Sequence, residues 1–280
     1  VRALENTGRS FAVRTGESTF SADAVVIATG GCAGPQFGCT GAGYDLAASF
    51  GHRLVTPFPA LVQLRLNAPF LRALAGVKFV GTATILAGQK PLRRAEGEIL
   101  FTDYGISGPP IFDLSRTAGE VLARGEQPTL RLSILPDQSQ AEVRAFLDQR
   151  FQTQGAKEAD FSLVGFLNKR LIPVLLKEAG LNNIHQQAAQ VGSQVRTALA
   201  RLLTAWDFTV TGTNGWSAAQ VTAGGLDVRD LDPYTMASRL VPGLYFAGEV
   251  IDIDGDCGGY NLQWAWSSGY VAGTSAAQAH

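Results

Sequence analysis

Histidine, cysteine and methionine are all scarce in this 280-residue sequence, which has three His, three Cys and a single Met. His52, His185 and His280 are scattered along the chain, and no metal site is expected from them. An odd cysteine count in a chain of this length argues against a disulfide framework. Cys32 and Cys39 have six residues between them, which is neither C-x-x-C nor a usual zinc spacing. With Cys257 they read as reduced thiols, and the expected compartment is the cytoplasm. The lone methionine is Met236 rather than residue 1, so the natural chain is expected to begin upstream of Val1. A surplus of one charge is also missing. The net charge is −1 with no dense Lys/Arg stripe, so neither nucleic acid nor an anionic membrane is an expected partner. No uncharged apolar run approaches the roughly 18 residues that a membrane span requires. The longest stretch, Leu163 to Leu176, is broken by Asn168, Lys169, Arg170 and Pro173. Three catalytic signatures are absent as well: the G-x-S-x-G elbow of α/β-hydrolases, the Walker loop, and the G-x-G-x-x-G turn of a dinucleotide-binding β-α-β unit.

What remains is ordinary globular composition, 46% hydrophobic and 17% charged, with 32 glycines gathered at strand ends. Short extended pieces separated by Gly8 and Gly16 predict a β-meander at the start. Ala24 to Gly31 (AVVIATGG) reads as a strand buried on both faces, as in a parallel sheet, with glycines at its carboxyl end where open α/β sheets bind ligands. GCTGAGYDLAASFGH, Gly38 to His52, places glycines ahead of a helix from about Ala42 to Phe50, with Gly51 as its stop. Residues 57–136 and 205–223 are β-rich and 137–204 helical. In the helical stretch Val143, Phe146, Leu147 and Phe151 fall at helical spacing, as do Leu167, Leu171, Val174 and Leu175. KPLRR, Lys90 to Arg94, reads as a solvated turn, and Ser107 as the N-cap of a short helix with Pro109 in its first turn. The chain therefore divides into a nucleotide-binding sheet at both ends, 1–56 and 224–280, around an insert at 57–223.

The most informative segment is GLYFAGEVIDIDGDCGGYNLQWAWSSG, Gly243 to Gly269. It predicts a buried strand over Leu244 to Ala247, a glycine, a carboxylate, a glycine- and aspartate-rich loop, and a helix from Asn261 to about Ala277. A strand ending in glycine lets a ligand approach the backbone, and a helix opening after a glycine-rich loop aims free N–H groups and a positive dipole end at it. These parts make half of a dinucleotide site. Glu249 at the strand tip is the leading candidate: a desolvated carboxylate needs donors, and ribityl or ribose hydroxyls supply them. Gly248 stands beside Glu249, and Gly258, Gly259 and the N–H groups of Tyr260 and Asn261 would face a polarised carbonyl or an anion. Thr29, Gly30 and Gly31 would lie along an adenosine–pyrophosphate edge. Counted as an EF-hand from Asp252, the loop has Cys257 where Gly is needed and Gln263 where Glu is needed, so calcium is not expected. Trp264 and Trp266 point in different directions from the last helix, one toward the core.

VVIATGG, GCTGAGYDLAASFGH, PALVQL, GEILFTDYGISGPPIFDLSR, VTAGGL and GLYFAGEVIDIDGDCGGYNLQWAWSSGYVAG follow one another along nearly the whole chain. In this order they resemble the YhiN/BaiN-like flavoproteins, which are NAD(P)/FAD-dependent oxidoreductases. The resemblance implies an α/β, Rossmann-type FAD-binding domain interrupted by an insert with a β-barrel-like sheet and a helical subdomain. It implies FAD contacts at Thr29, Gly30, Gly248, Glu249, Asp256, Gly259, Tyr260 and Asn261, with NAD(P)H as reductant and a small-molecule substrate. SGPP and VTAGG are expected to line or support a cleft. No catalytic acid or base is assigned. The missing G-x-G-x-x-G unit departs from the pattern and keeps a second reading open, a catalytically incompetent fragment or binding module. A thiol relay through Cys32, Cys39 or Cys257 is a third.

Overall fold

The computed structural model describes residues 1–8 and 10–279. Arg9 and His280 lie outside the described residues. Three antiparallel strands open the chain as the turn glycines predict: β1 (Ala3–Asn6), β2 (Phe11–Arg14) and β3 (Thr19–Ala22). β4 (Val25–Ile27), α1 (Ala42–Ser49) and β5 (Leu54–Ala60) follow. The chain then forms β6 (Leu64–Asn67), α2 (Leu71–Leu74), β7 (Lys78–Ala87), β8 (Lys90–Phe101), β9 (Gly105–Ser107) and α3 (Pro109–Ala123). After β10 (Pro128–Ser133) come α4 (Gln140–Thr153), α5 (Ala159–Ser162), α6 (Leu171–Glu178), α7 (Ser193–Thr204) and β11 (Trp206–Thr213). β12 (Val221–Leu226), β13 (Leu244–Phe246) and α8 (Tyr260–Gln278) close it. Two units result, one built from Val1 to Val62 together with Asn214 onward, the other from Gln63 to Thr213. The junctions expected near Thr56 and Gly224 fall inside β5 and β12, which pair antiparallel and so stay in one unit.

In the first unit β13 runs parallel to β4, with Leu244 opposite Val25 and Phe246 opposite Ile27. Parallel pairing of two apolar segments far apart in sequence is the signature of a wound α/β sheet. The strand is shorter than AVVIATGG suggests and is not covered on both faces: Ile27 is buried while Val26 is 37% exposed. α1 packs against the end of β4 through Gly43, where any Cβ would overlap the Thr29 hydroxyl. α1 stops as expected, with Gly51 in the left-handed region (φ 85°) just beyond its C-cap Phe50. Phe11, Ile27, Ala47, Leu244, Phe246 and Val250 form the core of this unit.

The second unit contains a closed six-stranded barrel in the order β10-β11-β6-β9-β8-β7. Its interior is aromatic, with the Trp206 and Phe208 rings 4.8 Å apart and Phe101 beside both. The KPLRR segment begins β8 and is not a turn. The turn is Gly88–Gln89, and Gly88 takes the φ of 58° that a two-residue hairpin needs. Pairing with β7 then carries the charged residues along a strand whose outward positions include Arg94, Glu96 and Glu98. Ser107 likewise belongs to β9, and the N-cap of α3 is Gly108 (φ 116°). A Cβ at Gly108 would overlap the Glu98 carbonyl, so contact decides the cap where hydroxyl chemistry would have chosen serine. α3 is also longer than expected, fifteen residues with Pro109 in its first turn. The helical stripes behave as read except at Leu167, which lies ahead of α6 in an isolated bridge with Val164: Val143, Leu147 and Phe151 are buried on α4, and Leu171, Val174 and Leu175 on α6. Phe146 is a partial exception, 37% exposed with its ring 4.6 Å from that of Phe166. A capping box at Ser139 and Glu142 starts α4.

Candidate functional site

β13 ends at Phe246 and the chain turns through Gly248, whose φ of 75° excludes most side chains. The 3-10 turn that follows (Gly248–Val250) carries Glu249. Glu249 is half-buried, and its Oε1 accepts the backbone N–H of Thr222 at 3.1 Å. The Thr222 hydroxyl also bonds this carboxylate. The same Thr222 Oγ1 accepts the N–H groups of Cys32 (2.8 Å) and Ala33 (3.0 Å). Gly31 lies directly beneath: a Cβ there would come within 2.6 Å of Glu249 Oε1 and 2.7 Å of Thr222 Cβ. The loop after β4, the buried strand β12 and the turn after β13 thus meet at one threonine and one carboxylate. Burial pushes the Glu249 carboxyl above the usual carboxylate range against the Thr222 bonds, and the charge of Asp254 adds to the rise.

The approach to α8 is shaped by Gly258 (φ 124°) and Gly259 (φ 92°), conformations that L side chains rarely adopt. Gly259 is the N-cap, and the N–H groups of the first turn of α8 have no intrahelical acceptor. A Cβ at Gly259 would meet nothing within 4 Å, so the backbone there borders open space. Glu249, Asp256, Gly258, Gly259 and Asn261 line the polar side of a cavity of about 310 Å³, at the small end of the range for ligand sites. Leu61, Leu262 and Ala265 supply its apolar side, with Gln220 and Cys257 at the margin. Leu61 carries a φ of 47°, unusual for a branched residue and characteristic of functional loops.

The sequence-predicted residues separate into three groups. Glu249, Asp256, Gly258, Gly259 and Asn261 share the cavity wall. Gly31 and Gly248 support it from behind, through Glu249 and through α8 respectively. Thr29, Gly30 and Tyr260 do not line it. Thr29 is exposed at the carboxyl end of β4, and Tyr260 is 65% exposed. Asn261 has both ends of its amide engaged by Gly255. Trp264 packs on the core of the first unit while Trp266 is 67% exposed. Sequence reasoning passed over Thr222, Trp264 and Ser268 as site residues. Thr222 stood inside the VTAGG motif, and Ser268 was legible only as a hydroxyl on the helix face shared with Trp264.

Other reactive groups stand apart from this arrangement. Cys32, Cys39 and Cys257 are not disulfide-bonded, and burial pushes the Cys32 thiol up, away from the thiolate form that a redox relay uses. In the second unit His185 Nδ1 lies 2.9 Å from Glu158 Oε2 and 3.3 Å from Asp160 Oδ2, a surface cluster within the span of a metal ligand set. Among the described residues no helix is long and apolar enough to cross a membrane.

Over residues 1–275 the chain matches the HI0933-like protein Rossmann domain. It belongs to that family. The 3-dehydro-bile acid delta(4,6)-reductase of Clostridium scindens is 39% identical over 99% of this chain and 68% of its own length. The ribosomal RNA dihydrouridine synthases of Haemophilus influenzae and Escherichia coli are 34% and 33% identical, over 63% and 64% of their lengths. The chain thus spans about two thirds of the length of these curated relatives. The resemblance to YhiN/BaiN-like flavoprotein oxidoreductases is borne out at the level of the family, and so is the Rossmann-type fold with a barrel-bearing insert.

Proposed function

We propose that this chain is the greater part of an FAD-dependent oxidoreductase that moves hydride between NAD(P)H and a small organic substrate by way of the flavin. One observation carries the reading: a half-buried carboxylate and the amide-rich start of α8 border the same cavity. Their donors and acceptors fit a flavin. Glu249 offers an acceptor to ribityl or ribose hydroxyls, and the Gly258–Asn261 amides face a polarised carbonyl. Thr29, Gly30, Gly31 and Gly248 complete the proposed set, with Tyr260 at its rim. The flavin, when bound, supplies the hydride chemistry. The chain's own residues orient it, and Leu61, Leu262 and Ala265 give it an apolar contact surface. The reductase and dihydrouridine synthase names of the relatives both describe saturation of a carbon–carbon double bond, which supports an electron-poor alkene as the substrate class. The near-neutral surface charge favours a small molecule over RNA.

The test is an FAD titration followed by absorbance and fluorescence, on the wild type and on Glu249→Gln. Weak but saturable binding with a yellow complex is expected of this chain, which lacks the G-x-G-x-x-G phosphate loop, and a further loss of roughly tenfold or more in the variant through loss of charge-assisted hydrogen bonds. A folded chain that takes up no flavin at high micromolar concentration refutes the proposal and favours the alternative, a binding module without flavin chemistry.

A further inference from the structure

α8 holds the cavity with more than its amide tip. Asn261, Trp264 and Ser268 stand at i, i+3 and i+7, on one face of the helix. The Asn261 amide grips the Gly255 peptide from both sides: Gly255 N–H donates to Oδ1 at 2.8 Å, and Nδ2 donates to the Gly255 carbonyl at 2.9 Å. Trp264 and Ser268 do the same for Gly248. Its N–H donates to Ser268 Oγ at 2.9 Å, and Trp264 Nε1 donates to its carbonyl at 3.1 Å. The Ser268 hydroxyl in turn donates to the Trp264 carbonyl at 2.6 Å, which ties together the two residues that hold Gly248. Glu249 sits between the two held glycines, and neither glycine has a side chain of its own to anchor it.

We propose that Asn261, Trp264 and Ser268 are positioning residues that fix Glu249 and the 255–259 backbone for flavin binding, an inference that rests on the flavin reading above. Ser268 is 1% exposed, and a buried hydroxyl is unfavourable unless its hydrogen bonds are used. An alanine would serve packing equally well, so the hydroxyl is explained by the Gly248 peptide it holds. The Asn261 side chain, with both amide ends committed to Gly255, acts through the loop, whereas its backbone N–H belongs to the helix tip that faces the ligand.

The experiment compares the wild type with Ser268→Ala, Trp264→Phe, Asn261→Ala and Asn261→Asp. Each is measured by backbone amide exchange, unfolding midpoint and FAD titration. Trp264→Phe deletes the indole N–H together with part of the ring and keeps an aromatic side chain against the core. Asn261→Asp keeps the acceptor for the Gly255 N–H and loses the donor. Faster exchange is expected in 248–256 for the alanine and phenylalanine variants, with the rest of the first unit unchanged. FAD affinity should fall roughly fivefold to tenfold at an unfolding midpoint close to wild type. Asn261→Asp should fall between Asn261→Ala and the wild type. A purely structural role would lower the midpoint and leave the flavin affinity of the folded protein intact, and that result overturns the inference. Unchanged exchange at 248–256 also overturns it. A wild type that binds no FAD sinks the proposed function instead, while the exchange data still decide whether the grips hold the loop.

Discussion

Adding one methyl group at Gly31 tests whether the junction of Thr222 and Glu249 is as rigid as it looks. Gly31 has an ordinary backbone conformation, so alanine introduces no strain in φ and the effect is one of space alone. The new Cβ would overlap Thr222 Oγ1, and would lie 2.7 Å from Thr222 Cβ and 2.6 Å from Glu249 Oε1. Thr222 is 1% exposed on a strand buried at every position, so it has little room to retreat. Overpacking of this kind costs about 1–3 kcal/mol. If Thr222 turns away, the bonds it accepts from Cys32 and Ala33 are lost, at about 1 kcal/mol each. Together these give a destabilisation of about 3–5 kcal/mol. The assay is urea unfolding, read as a shift in midpoint at unchanged slope. Gly16→Ala is the control, since its Cβ would meet nothing within 4 Å, and it should stay within about 0.5 kcal/mol of wild type. In a Thr222→Ala background the effect of Gly31→Ala should shrink markedly, because the clashing atoms are shared. A loss below about 1 kcal/mol for Gly31→Ala would show that Thr222 yields freely. In that case Glu249 is not held from the β12 side, and the geometric case for the site loses its main support.

Other perturbations follow from the same unit. Gly273 is exposed in the interior of α8 with open space around it, so Gly273→Ala should stabilise the chain by about 0.5–1 kcal/mol, seen as a higher melting temperature. A lower melting temperature would show that this helix face is in contact with something a methyl displaces. Arg53 holds the Asp230 carboxylate through its guanidinium and its backbone N–H, and the Asp230 side chain is only 6% exposed. Arg53→Ala should lower the urea midpoint, by less than the loss of a fully buried pair would, because Arg53 is itself half exposed and its backbone N–H still holds Asp230. Burial pushes His52 below its ordinary value of 6.5, so the unfolded chain takes up the proton first. Stability should therefore be flat above that value and fall as pH drops through it toward the lowered folded value. His52→Gln should remove this slope in a pH series of urea midpoints. The loss from Asp230 and Asp232, whose carboxyls are held low by hydrogen bonds from Arg53 and from Tyr234 N–H, should come separately, as pH falls below about 3.8.

The parts of the site that were legible in the sequence are those whose signals are local. Glu249 follows a short apolar strand and precedes a glycine pair and a helix, all within one continuous segment. Each piece constrains the next through backbone geometry, and the structure brings Glu249, Asp256, Gly258, Gly259 and Asn261 to one wall. The β-rich stretches of the insert were legible for a similar reason, as strands with turn signals between them, whereas their closure into a barrel was implied only by the family resemblance. What escaped depends on contacts across long sequence separations. Thr222 meets Cys32, Ala33 and Glu249 only because β12 folds back beneath the loop after β4. Ser107 looked a better cap than Gly108, but the nearness of the Glu98 carbonyl leaves no room for a side chain at the cap. Leu61 gave no signal at all, since nothing in its residue type announces a left-handed backbone. Val26 was expected to be covered because its neighbours are apolar, yet coverage of a strand's second face depends on what packs there and not on the strand itself.

The carboxylates of the first unit then divide in a way that bears on function. Asp227 is held low by Arg229, Asp230 by Arg53, and Asp232 by the backbone N–H groups of Tyr234 and Thr235. Each has its charge answered within the protein. Glu249 is the exception, because burial outweighs the two bonds from Thr222 and raises its carboxyl. A group that is desolvated and incompletely compensated contributes nothing to stability at neutral pH that a glutamine would not. Glu249→Gln should therefore leave the ligand-free protein as stable as wild type or slightly more so, while weakening flavin binding. That opposition is expected at a functional carboxylate and not at a structural one. If the substitution instead destabilises the ligand-free chain by more than about 1 kcal/mol, Glu249 serves the fold, and its place on the cavity wall needs no ligand to explain it.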